Sequence, residues 1–67
     1  MVPIVVERAV DQADGSVATI FLAVWHSDED QDIARSVVAI CPRDRLQKVC
    51  QTWQEAVELA SRLNELG

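Results

Sequence analysis

Residues 17–26 read VATIFLAVWH, and the fold turns on how that stretch is taken. It is rich in β-branched and aromatic residues, which favour a pleated strand. Strand alternation puts Val17, Phe21, Ala23 and Trp25 on one face and Ala18, Ile20, Leu22 and Val24 on the other. Thr19 is the one clearly polar side chain before His26. With both faces apolar, the stretch reads as the central strand of a sheet.

Working outward, residues 2–10 (VPIVVERAV) form a first strand, with Pro3 at its start or on an edge because it cannot donate to a ladder. Residues 11–16 make the turn between the two, and Asp14-Gly15 is the pair expected at positive φ in a type I′ hairpin. On the other side, SDEDQD at 27–32 reads as a solvated loop. A third strand is expected from Ile33 or Ala34 to Cys41, closed by Pro42, with Val37, Ala39 and Cys41 on one side and Ala34, Val38 and Ile40 on the other.

The C-terminal segment is helical. Thr52 followed by Glu55 matches a capping box, and Trp53, Ala56, Val57, Ala60 and Leu63 then recur at helical spacing. Leu59 and Leu66 broaden that stripe, while Glu55, Glu58, Arg62 and Glu65 make the polar face. Residues 43–51 fit two readings. Leu46, Val49 and Cys50 could extend the helix backward, but the cap at Thr52 favours a short fourth strand or a helical turn over 46–51. The expected fold is therefore a single α+β domain over residues 1–67. It is a three-stranded antiparallel meander, with a fourth strand left open, and one C-terminal helix packed on one face, β-β-β-α.

A chain of 67 residues has a small core, and hydrophobic gain and ordering entropy nearly cancel at this length. Such chains commonly add disulfides, a metal or a partner subunit. The first two are not expected here. Cys41 and Cys50 lack metal-ligand spacing, and the opening MVPIVVERAV lacks a secretory n-region, so a cytoplasmic protein with reduced thiols is expected. The longest apolar run, Ile20 to Trp25, is too short to span a membrane.

A partner is expected on physical grounds. One helix covers one face of a small sheet, which leaves the other apolar face needing cover. Homodimerisation would supply it, sheet against sheet or by continuing the sheet across an edge, with Phe21, Ala23, Val37 and Ala39 as the dimer face. The plainer alternative is that small residues such as Ala18, Ala23 and Ala39 leave that face only mildly apolar, which a monomer tolerates.

Eleven acids against six scattered bases give a net charge of −5, which disfavours direct binding of nucleic acid or of anionic membrane. The nearest thing to a functional constellation is Trp25 and His26 beside Asp28, Glu29, Asp30 and Asp32. An exposed Trp25 would give an aromatic anchor with a charged rim, a partner-binding patch, whereas a buried one is simply core. The acids lack the glycine and the terminal glutamate of a calcium loop, so no metal is expected. Trp53 is expected to pack on the sheet or staple the start of the helix, and both cysteines to be inert core residues rather than redox-active ones. With glycine only at 15 and 67, no phosphate-cradling loop exists, and no nucleophile–base arrangement has its sequence context. Catalytic residues and cofactors are accordingly not expected. Two functional classes remain. One is a small interaction or regulatory protein, dimeric or docking on a larger protein. The other is an acidic inhibitor that mimics nucleic acid on a basic target, as small phage-encoded proteins do.

Overall fold

The computed structural model describes residues 1–26 and 43–66. The chain folds as β-β-β-α: β1 (Val2–Asp11), β2 (Val17–His26), β3 (Asp44–Val49) and α1 (Trp53–Leu66). All described strand pairs are antiparallel. The third strand of this sheet is thus the stretch left open between strand and helical turn. The strand expected over 33–41, with Val37 and Ala39, lies outside the described residues.

The strand order is β2-β1-β3, so among the described strands β1 is central rather than β2. The described strands are therefore not in sequential order, while the third strand of the expected meander lies outside the described residues. Hydrogen-bond parity explains the order. The β1–β2 register is unbroken from Val2↔His26 to Asp11↔Val17, and the Gln12 N–H closes it on the Ser16 carbonyl at 2.9 Å. Even-numbered residues of β1 therefore bond to β2, and odd-numbered ones offer their backbone groups to β3. The Cys50 N–H donates to the Pro3 carbonyl at 2.9 Å on that side. Pro3 is tolerated because it stands at the strand's start, where its carbonyl alone is engaged.

The hairpin is not type I′. Gly15 alone has positive φ, at 86°, and its N–H bonds to the Gln12 carbonyl at 3.1 Å. Three residues, Ala13 to Gly15, bridge the closing Gln12–Ser16 pair, and the glycine makes the left-handed step that matches the strand twist. Asp14 Oδ1 accepts from the Ser16 N–H at 3.0 Å, holding the turn from the side. Ser16 Oγ lies 2.6 Å from the same oxygen, and these contacts hold the Asp14 carboxyl below the usual carboxylate range. A Cβ at residue 15 would meet nothing within 4 Å, so the cost of Gly15→Ala is backbone strain alone. Loss of about 1–2 kcal/mol in chemical denaturation is expected, with Gly15→Asn losing less because asparagine tolerates the left-handed region.

The capping box forms with one variation. The Glu55 N–H donates to Thr52 Oγ1 at 3.1 Å, but the Glu55 carboxylate reaches past Thr52 to the Gln51 N–H at 3.3 Å. The helix then lays Ala56, Leu59, Ala60 and Leu63 on Val5, Phe21, Ala23 and Cys50. Ala56 and Ala60 are both buried, and their small side chains let the helix backbone approach the sheet. This corrects one expectation: Phe21 and Ala23, assigned to an open dimer face, lie under the helix. The opposite face gathers Ile4 and Val6, both fully buried, with Val2, Leu22, Val24 and Leu46.

Ion pairs tie β3 and the residue before it to β1. Arg8 grips Asp44 through both carboxylate oxygens, at 2.8 and 2.9 Å, across the register pair Arg8↔Asp44. Arg43, just before β3, reaches Asp11 at 3.0 and 3.1 Å and holds that exposed carboxyl below its ordinary range.

Candidate functional site

Trp25 and Trp53 stack on each other at one end of the seam between β2 and α1. Their ring centroids are 4.8 Å apart with 12° between planes. Strand alternation puts Trp25 on the helix face, in line with Phe21 and Ala23, and the cap at Thr52 fixes Trp53 on the first turn of α1. An offset stack of this kind is worth about 0.5–1.5 kcal/mol beyond the area it buries.

The stack is nonetheless open to solvent: Trp25 is 48% exposed and Trp53 38%. One helical turn on, Val57 is 40% exposed on the same side of α1. Together the three present roughly 300 Å² of apolar surface, the size of the largest patch on a typical monomer. Two large indoles held flat against one another form a rigid platform that loses little entropy on binding. That is the property of an interface anchor.

The rest of the seam is polar and ordered. Asn64, on the same side of α1 as Trp53 and Val57, brackets the backbone of Phe21. Its Oδ1 accepts from the Phe21 N–H at 2.8 Å, and its Nδ2 donates to the Phe21 carbonyl at 3.0 Å. At the opposite flank of the first turn, Lys48 lies 3.7 Å from Glu55. Cys50 sits behind this turn in the core, and its burial, reinforced by the Glu55 charge, pushes the thiol up, so the inert form is favoured.

The expected patch is reached only at one residue. Trp25 is exposed, as a binding anchor requires, but His26 is buried and turns away from that surface. Asp28, Glu29, Asp30 and Asp32 lie outside the described residues. Sequence reasoning missed Trp53 as the partner of Trp25, together with Val57 and Asn64. A helical wheel held the signal: residues 53, 57, 60 and 64 fall on one side, with a polar asparagine among apolar neighbours.

Among the described residues no group of three or more histidine, cysteine or acidic side chains converges as a metal site would require. No helix is long and apolar enough to cross a membrane. Comparison with known protein families, with curated proteins and with solved structures found no match. The geometry of the seam therefore carries the functional reading.

Proposed function

We propose that this protein is a cytoplasmic protein-interaction or regulatory module that acts by contact rather than by catalysis, through the seam of β2 and α1. The observation that carries the reading is the solvent-exposed Trp25–Trp53 stack. Tryptophan is among the residues most enriched at binding hot spots, and a preformed stack spends none of its binding energy on ordering itself. Support for sheet-against-sheet pairing through Phe21 and Ala23 falls away, since the helix already covers them. Nothing on the described surface favours nucleic-acid mimicry over this reading.

The chain offers a clean probe. It has two tryptophans and no tyrosine, so its near-ultraviolet dichroism and its fluorescence report the stack with little else. The full chain, used as bait in its native host, should capture a partner that shifts tryptophan emission to the blue. Trp25→Ala and Trp53→Ala should each weaken that binding at least about thirtyfold, a hot-spot loss of 2 kcal/mol. Equal capture by the double variant, with its fold intact by far-ultraviolet dichroism, would refute the reading.

A further inference from the structure

Trp53, Val57 and Asn64 share one flank of α1, and that flank is tied to β2 at both ends. At the first turn Trp53 stacks on Trp25. Three turns on, roughly 16 Å along the helix axis, Asn64 brackets the Phe21 backbone. Trp25 and Phe21 stand on the same face of β2, roughly 13 Å apart along the strand. The flank is therefore pinned by a ring pair at one end and by an amide at the other.

These pins differ in kind from the contacts beneath them. Ala56 and Ala60 are buried, and Leu59 and Leu63 half-buried, against Val5, Phe21, Ala23 and Cys50. Apolar burial has no direction, and alanine methyls let the helix come close without fixing how it is rotated or how far it slides. A turn of about 20° about the helix axis carries a side-chain tip at a radius of about 5–6 Å through about 2 Å. Such a shift hardly changes what the alanines bury, but it uncovers much of an indole ring. The Asn64 bonds oppose it. At 2.8 and 3.0 Å they join one planar amide to both the N–H and the carbonyl of a single residue, so neither rotation nor sliding keeps both.

We infer that Asn64 is the positioning residue of the Trp25–Trp53 platform: its two hydrogen bonds to the Phe21 backbone set the rotation and register of α1 at which the indoles lie face to face. The role rests on the reading of the stack as the binding surface, and it adds what holds that surface ready. Asn64 acts through the helix, three turns from the rings, and need touch no partner. The residue type fits the role. Alanine, leucine or lysine would favour the last turns of a helix more than asparagine does. Asparagine instead supplies a donor and an acceptor on one short planar group.

The test reads the stack itself, without a partner. Each indole of a stacked pair shifts the other's ring protons upfield, and Overhauser contacts join the two rings, so proton NMR of the full chain measures the platform. Asn64→Ala should reduce those shifts by at least half. Alanine is the better helix former, so the loss would not come from a weaker helix. Asn64→Asp keeps the size and one acceptor but sets a carboxylate oxygen against the Phe21 carbonyl, and should lose as much. Ser61→Ala, at an exposed position of the same helix, should leave the shifts in place. In the unaltered chain the Phe21 amide should exchange with deuterium at least about tenfold more slowly than a free amide, which keeps the test sound if a variant does not fold. Full shifts in Asn64→Ala or in Asn64→Asp overturn the inference, as does an equal loss in Ser61→Ala or an unprotected Phe21 amide. Shifts kept in both Asn64 variants, with partner capture still lost on Trp53→Ala, would sink the positioning role and leave the binding reading standing. Shifts lost as expected, with capture indifferent to both tryptophans, would support the positioning role and refute the binding reading.

Discussion

Arg8→Ala should lower the folding stability by about 3 kcal/mol, measured as a shift in the urea midpoint at constant slope. The Asp44 side chain is fully buried, and the Arg8 guanidinium meets it fork to fork at 2.8 and 2.9 Å. Removing one partner of a buried pair costs about 3–5 kcal/mol, because a carboxylate is left out of water and out of its pair. The Arg8 side chain is 36% exposed, so solvent screening sets the expectation at the lower end of that range. Against a total stability of roughly 3–10 kcal/mol for a chain of this length, the loss is large enough to leave the variant partly unfolded at room temperature. Arg8→Lys keeps the charge but not the fork and should recover only part of it. Joint replacement by Arg8→Met and Asp44→Leu should recover most, since a well-packed apolar pair replaces a buried ionic one at little cost. A loss below about 0.5 kcal/mol for Arg8→Ala would show that the Arg8–Asp44 pair contributes little to holding β3.

Ile4→Ala should cost about as much, roughly 3–4 kcal/mol. Ile4 is fully buried on the face away from the helix, among Val2, Leu22, Val24 and Leu46. Truncating it removes three methyl or methylene groups from a packed site and leaves a cavity. Had that face been a solvent-facing surface, as the plainer sequence reading allows, the same change would cost well under 1 kcal/mol. Ile20→Ala provides the internal comparison: it shares the face by alternation but lies toward the hairpin tip and is exposed, so about 1 kcal/mol is expected. Equal small losses at both positions would mean that the far face contributes no core.

The parts of the molecule that could be read in advance are those fixed by neighbours in sequence. Thr52 and Glu55 are three residues apart and cap the helix whatever it packs against. Glycine at residue 15 between two β-rich stretches makes a hairpin, although the loop length, and with it the turn type, depended on which residues closed the ladder. The identity of β3 was harder. RLQKV alternates only weakly, and Asp44 has a reason to be buried only once Arg8 stands opposite it on β1. The candidate seam was half legible. Trp25 could be named as a candidate anchor, but its stacking partner lies 28 positions along the chain and is brought to it by the docking of α1.

By itself the sequence determined the β-β-β-α makeup, the hairpin joining β1 to β2, the start of the helix, and a chain of net charge −5 whose second strand carries no charge before its end. Tertiary structure alone decided the order of the described strands, which face of β2 the helix covers and which of the described apolar side chains stay exposed. The physical reason lies in β2. Its two faces are almost equally apolar, so local patterning cannot choose between them. The choice falls to long-range fit: two small alanines on α1, the Asn64 amide on the Phe21 backbone, and one indole laid flat against another.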